Sequence, residues 1–216
     1  MKSVLVIGMG RFGRHLASRM QELGNEVMVV DRDPDLIEML AGKYTECSIG
    51  DCTQEPVIAS LGVENFDTCF VTIGADFQSS LVITALLKRH GARSIVAKTA
   101  QDIQEELLHQ LGATEVIYPE REIAERVAVR YNSDNIFDFI PLTSDVALYE
   151  IAILRHWIGD TIQGVDVRKK HGVNIVAIKN GETVRPVPGP NYTFREGDHI
   201  VVMGETSDVF KLASRA

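Results

Sequence analysis

The chain has 216 residues, 45% hydrophobic and 24% charged, which is room for one large domain or two small ones with enough apolar matter for a packed core. Its net charge of −8 argues against a broad nucleic-acid surface, and no stretch approaches the roughly 18 uncharged apolar residues of a membrane span. The acidity is lopsided: up to Asn135 there are 13 Lys+Arg against 20 Asp+Glu, and beyond it 9 against 10. The opening MKSVLVIGMGRFG reads as a strand and a glycine turn rather than as a signal peptide, so the expected compartment is the cytoplasm. Cys47, Cys52 and Cys69 are odd in number and lack metal-ligand spacing, which reads as small buried hydrophobes in a reducing environment.

Through the first 119 residues apolar runs alternate with helical patterns. Strands are expected at Val4 to Ile7, Val27 to Val30, Cys47 to Ile49, Cys69 to Ile73, Ile95 to Ala97 and Val116 to Tyr118. Helices are expected between them, at Arg11 to Leu23, Leu36 to Lys43, Glu55 to Leu61, Gln78 to His90 and Ile103 to Leu111. Strands written as continuous Val/Ile runs are buried on both faces, so the fold class is α/β, a Rossmann-like parallel sheet with helices on both faces. Gly24, Gly62, Gly91 and Gly112 fall where helices should stop, and Asp33-Pro34 reads as a cap with proline at the first helical position. Residues 120–139 read as a connecting helix and linker, with Ile123, Ala124, Val127, Ala128 and Tyr131 at spacings of three and four. Residues 140–216 form a small second α/β domain. Its β-like runs are Leu148 to Leu154, Val173 to Ile178, Thr183 to Pro188 and His199 to Met203, and its helices Val165 to His171 and Ser207 to Ala213.

The strongest chemical signal is Gly8-Met9-Gly10-Arg11-Phe12-Gly13, which follows the first strand and opens a helix, with Asp31 closing the second strand. In that order the elements form an adenine-nucleotide fingerprint. Gly8 allows the tight turn, Gly10 a close backbone approach to phosphate, and Gly13 close helix packing, with the helix N-terminus facing the anion. Asp31 would accept from ribose hydroxyls and repel a 2′-phosphate, which disfavours NADP. A Rossmann fold with an empty loop is the alternative. Asp51-Cys52-Thr53 and Gly74-Ala75-Asp76 follow later strands, where ligands of open α/β sheets bind, although Asp51 and Asp76 serve equally well as helix N-caps. Ile73, Arg32 and Lys98, beside these strand ends, complete the expected nucleotide set. Arg11 inside the glycine loop tilts the ligand from NAD(H), with two phosphate charges, toward ATP or ADP; pairing with a surface acid is the alternative.

GMGRFG, VVD at 29–31, GDCT, TIGADFQSS and YPEREIA, followed by a small second domain, resemble the TrkA/KtrA family, cytosolic regulatory subunits of bacterial potassium uptake systems, and the length fits the KtrA type. The resemblance covers nearly the whole chain. It implies an RCK (TrkA-N) domain and a TrkA-C domain, and homodimers assembling into an octameric ring. That ring would lie at the inner face of the membrane beneath a KtrB/TrkH-like potassium channel subunit and switch between ATP and ADP forms. It further implies that Arg11 reaches the γ-phosphate and that Glu120 helps hold Mg2+ or another divalent cation. Read from the sequence alone, Glu120 is an ordinary first-turn acid. For the second domain it implies a cyclic di-AMP site at Ile162, Asp166, Arg168, Asn174, Ile175 and Pro188, with Gln163 departing from the aliphatic residue common there; otherwise the segment is a loop and a solvated basic helix. Two rivals remain: an NAD(H)-sensing regulator of TrkA type, and a small NAD-dependent oxidoreductase. Against the oxidoreductase, no Tyr-x-x-x-Lys, GxSxG or HExxH set occurs, and His15, near the loop, reads as a helix-surface residue.

Overall fold

The computed structural model describes residues 1–74 and 76–215, which divide into two compact units, Met1–Glu120 and Arg121–Ala216. In the first, strands β1 (Ser3–Ile7), β2 (Glu26–Asp31), β3 (Glu46–Ile49), β4 (Thr68–Val71), β5 (Ile95–Lys98) and β6 (Glu115–Ile117) form a parallel sheet in the order β3-β2-β1-β4-β5-β6. Helices α1 (Arg11–Glu22), α2 (Pro34–Leu40), α3 (Glu55–Ser60), α4 (Phe77–Arg89) and α5 (Asp102–Gln110) make the crossovers. Successive residues of one strand serve opposite layers. Leu5 and Ile7 join Met28, Val71, Ile83 and Leu108 on one face, while Val4 and Val6 join Val27, Val29, Ala17, Ile37 and Leu40 on the other. With both faces covered, each strand must be apolar throughout, which is why the sequence shows unbroken Val/Ile runs. The strand order reverses direction between β1 and β4, the switch point at which such sheets open a crevice.

The expected helix stops are in place: Gly24, Gly62, Gly91 and Gly112 all adopt positive φ. Asp33 caps α2 by accepting from the amides of Asp35 and Leu36. Strand β4 ends at Val71, two residues before the expected Ile73.

Helix α6 (Pro119–Tyr131) carries the chain out of the first unit. The second unit holds β7 (Ile136–Pro141), β8 (Val146–Ala152), α7 (Ile162–Val165), α8 (Val167–His171), β9 (Asn174–Asn180), β10 (Thr183–Pro186), β11 (Asp198–Glu205) and α9 (Thr206–Ala213). Its strands pair antiparallel in the order β10-β9-β11-β8-β7. A single core gathers Ile136, Tyr149, Ile151, Trp157, Ile178, Ile200, Val202, Val209 and Leu212. Buried and half-buried residues alternate along β8 and β11, the mark of a sheet packed on one face.

Three local readings change. Residues 136–139, grouped with the linker by sequence, start β7, which pairs with β8 from Ile136 onward. The expected helix Val165 to His171 breaks at Asp166, whose left-handed φ of 51° separates α7 from α8. The expected strand to Pro188 stops at Pro186, because Val187 turns to a positive φ of 49°. The sequence also missed Asp198, which is 1% exposed. It accepts from the Tyr192 hydroxyl, the Arg195 amide and the Asn180 side-chain amide, each at 2.8 Å, and so avoids the cost of a buried unpaired carboxylate.

Candidate functional site

A cavity of about 740 Å³ opens at the carboxyl edge of the parallel sheet, within the usual range for small-ligand sites. It is lined by Gly8, Gly10, Arg11, Phe12, Asp31, Arg32, Asp51, Cys52, Thr53, Ile73, Gly74, Lys98 and Glu120, so the sequence-predicted nucleotide set converges. Gly13 lies beneath it rather than on its wall, and Ala75 falls outside the described residues. Thr72, Ser79 and Ala100 also line the cavity and were not anticipated.

The three glycines of the loop have different reasons for being glycine. Gly8 adopts φ +95°, and a Cβ there would sit 2.8 Å from Ile73 Cγ1. A Cβ on Gly13 would overlap the Gly8 carbonyl oxygen and lie 2.7 Å from Thr72 Oγ1, so α1 packs against the loop as closely as a backbone allows. At Gly10 a Cβ would meet nothing within 4 Å. Packing therefore does not require glycine at this position, which faces the cavity. Gly10 is also the N-cap of the 12-residue α1, which has no side-chain cap and no acid in its first turn. The first amides of this helix are left for an anion.

The loop is held from two sides. Asp31 accepts from the Met9 amide through Oδ2 at 2.6 Å and from the Asp33 amide through Oδ1 at 3.0 Å. Each oxygen keeps a further lone pair for a ribose hydroxyl. Thr72 Oγ1 lies 2.5 Å from the Gly8 carbonyl oxygen and 3.1 Å from that of Ile7, donating between them.

Both alternatives for the two acids beside the cavity have a local component. Asp76 caps α4 by accepting from the Ser79 amide at 3.1 Å and the Ser79 hydroxyl at 2.6 Å. Asp51 does not cap α3, whose N-cap is Gln54; it accepts from the Thr53 hydroxyl at 2.7 Å and amide at 3.0 Å in an Asx turn ahead of the helix. These bonds hold both carboxyls below the usual range, and the charge of Arg32, on the same cavity wall, assists at each. Arg11 is exposed on the cavity wall and forms no ion pair with an acid among the described residues. Lys98 Nζ contacts Glu120 Oε1 at 2.6 Å and lies 5.8 Å from the Phe12 ring centroid, and the Lys98 hydrogen bond depresses the Glu120 pKa. Burial, with Asp51 and Asp31 nearby, pushes the Cys52 thiol up to about 12, so it stays protonated on the cavity wall. His15 is exposed on α1. Among the described residues no three or more His, Cys, Asp or Glu side chains converge as a metal set; a cation at Glu120 would need oxygens from the ligand.

The second unit has a cavity of about 460 Å³ lined by Ile162, Gln163, Asp166, Val167, Arg168, Val173, Asn174, Ile175 and Pro190. Five of the six expected cyclic di-AMP residues meet there. Pro188 does not line the cavity; Pro190 takes its place, two residues further along Pro186-Val187-Pro188-Gly189-Pro190, where the positive φ of Val187 has turned the chain.

Fold and strand order place the first unit in the Rossmann class, joined to a small antiparallel domain. Residues 4–119 match the TrkA-N domain family and residues 146–215 the TrkA-C domain family, and the chain belongs to this family. It is 36% identical to Ktr system potassium uptake protein C of Bacillus subtilis, over 99% of this chain and 97% of that protein. It is 31% identical to Ktr system potassium uptake protein A of Vibrio alginolyticus, over 94% and 92%. Among solved structures, the GsuK channel bound to NAD superposes with a TM-score of 0.73 at 17% identity, over 99% of this chain and 39% of the channel chain. The same channel bound to ADP gives 0.54 at 18%, over 60% and 34%. The chain thus spans less than half of those channel chains, and the likeness establishes the fold. Among the described residues no helix is long and apolar enough to cross a membrane.

Proposed function

We propose that this protein is a cytoplasmic regulatory subunit of a bacterial potassium uptake system, gating a KtrB/TrkH-like membrane subunit in response to adenine nucleotides. The observation that carries the reading is the unpaired Arg11 overhanging a nucleotide-sized cavity, in a chain aligned end to end with Ktr potassium uptake proteins. Open space at Gly10, free amides at the α1 N-terminus, Asp31 at the end of β2 and the cations Arg11, Arg32 and Lys98 fit an adenosine polyphosphate. The one thiol on the cavity wall, Cys52, is kept protonated and is a poor nucleophile there.

Gating needs a ligand that binds two conformations unequally, since only that difference shifts a population. ATP brings one phosphate more than ADP, and Arg11 is the residue placed in the glycine loop to meet it, with a divalent cation held between that phosphate and Glu120. Arg11→Ala should weaken ATP binding about 10- to 100-fold, the scale of a lost charged hydrogen bond, and ADP binding far less. Calorimetric titration reads this directly, and equal losses for the two nucleotides overturn the role of Arg11. NAD(H) is the second reading, favoured by the NAD-bound structural relative. Thermal shifts with ATP and NADH at matched excess separate the two, because the tighter ligand stabilises more.

The remaining parts of the proposal follow from family membership: homodimers, an octameric ring at the inner face of the membrane, and cyclic di-AMP as a ligand of the second unit. For the last, the small cavity offers Arg168 to a phosphate and apolar Ile162, Ile175 and Pro190 to flank an adenine. Calorimetry with cyclic di-AMP on Arg168→Ala tests it, with loss of binding expected.

A further inference from the structure

We infer that Lys98 and Glu120 form an exchangeable ion pair: a polyphosphate in the large cavity captures Lys98, and only then is Glu120 free to hold a divalent cation. This rests on the nucleotide reading above and adds an order of events to it.

The pair arises from topology. Lys98 ends β5, and Glu120 lies in the first turn of α6, just past β6; β5 and β6 are adjacent and parallel, with Lys98 in register with Ile117. Both side chains therefore emerge over the same carboxyl edge. The Lys98 side chain is only 10% exposed. It passes so close to β4's exit that a Cβ on Gly74 would lie 3.0 Å from Nζ, and it sits near the Phe12 ring of the glycine loop. An ammonium covered to this degree needs a counter-charge, and without ligand Glu120 supplies it.

Glu120 is differently placed, with its side chain 61% exposed. Losing Lys98 would cost it little, because water replaces the contact. While the pair stands, a cation approaching Glu120 meets the Lys98 charge a few ångströms behind it. Three cations on the cavity wall, Arg11, Arg32 and Lys98, face four carboxylates, Asp31, Asp51, Asp76 and Glu120. A nucleotide carrying several negative charges makes this imbalance worse. A phosphate group carries more charge than a carboxylate and competes well for a shared ammonium. When it wins, one carboxylate is left uncompensated beside the phosphates, and that position suits a divalent cation. Glu120 is also the last residue of the first unit, on the helix that continues into the second, so the exchange takes place where the chain leaves the nucleotide domain.

The consequence is counter-intuitive: removing a residue of the site should strengthen nucleotide binding when no divalent cation is present. In calorimetric titrations of the full chain with ADP and ATP in chelator, Glu120→Gln should bind about twofold more tightly than wild type, the scale of an ion pair with one largely exposed partner. With Mg2+ added, wild type should overtake the variant. Lys98→Gln should weaken binding in chelator, and in its background Glu120→Gln should give no gain. Should Lys98→Gln not fold, Lys98→Met keeps the stem packed and replaces it. No gain in chelator overturns the exchange, and so does a gain that persists without Lys98, since that would be simple repulsion between Glu120 and phosphate. If wild type binds neither nucleotide, the nucleotide reading itself fails, a result distinct from both.

Discussion

The two units arrange polar and apolar residues differently, and the contrast shows where each tolerates change. In the first, helices cover both faces of the sheet, every strand is apolar through its length, and the polar residues crowd the carboxyl edge and its loops. In the second, one face is packed and the other row of side chains, including Leu148, Glu150, His199 and Val201, stays half-buried. The first unit thus separates binding from stability in space. The second places a charged cluster directly on its sheet, so charge and stability are joined there.

The largest effect expected from this contrast lies in the single core. Ile151 is fully buried near the end of β8, opposite Ile200 on one side and Ile136 on the other. Ile151→Ala should cost about 3 to 4 kcal/mol by lost transfer energy and a residual cavity. Trp157, the only tryptophan, sits in the same core, so denaturant unfolding followed by its fluorescence reads the loss. Next comes a pair within the glycine loop. Alanine ordinarily favours a helix interior over glycine, yet Gly13→Ala should destabilise by about 2 kcal/mol, because its methyl overlaps the Gly8 carbonyl and crowds Thr72. Gly10→Ala should leave stability within about 0.5 kcal/mol and weaken nucleotide binding at least about tenfold, since its methyl projects into open space that a phosphate would occupy. Equal destabilisation by the two would show that binding and stability are not separated at this loop.

The same contrast explains what could be read without coordinates. A sheet buried on both faces writes itself as Val/Ile runs, and a helix that must stop writes itself as glycine, so β1, β2, the loop between Gly8 and Gly13, and Asp31 were all legible. Thr72 was not: its role is a bond to the Gly8 carbonyl, 64 residues away, and exists only because β4 lies beside β1. The Lys98–Glu120 pair is hidden for the same reason, its halves belonging to neighbouring strand ends 22 residues apart. In the second unit weaker local patterns cost more. Asp138 inside β7 reads as a linker residue, although Arg126 of α6 binds its carboxylate twice, at 2.7 and 2.5 Å. Three alternate prolines, Pro186, Pro188 and Pro190, give no hint of which one faces the cavity until the turn at Val187 is known.

The smallest predicted effect asks whether two ion pairs of similar chemistry do different work. Glu150 accepts from Lys179 Nζ at 3.0 and 2.9 Å and from His199 Nδ1 at 2.7 Å, with Phe137 stacked on the imidazole at 4.0 Å. Burial alone would raise its pKa, but the bonds from His199 and Lys179 outweigh burial and hold it below the ordinary value of 4.5. A carboxylate depressed on folding stabilises above its unfolded pKa and loses that contribution as pH falls through the folded one. Glu150→Gln should therefore cost about 1 kcal/mol near neutral pH, with the difference from wild type shrinking below about pH 4.5. The Glu120 pKa is depressed too, but that side chain is largely exposed and screened, so Glu120→Gln should change stability by less than about 0.5 kcal/mol at any pH. Urea unfolding of both variants from pH 3 to 7, roughly spanning the carboxylate range, makes the comparison. A Glu120→Gln loss as large as that of Glu150→Gln would mean that the Lys98 pair holds the fold together, and an ammonium so committed would be a poor candidate for capture by a phosphate.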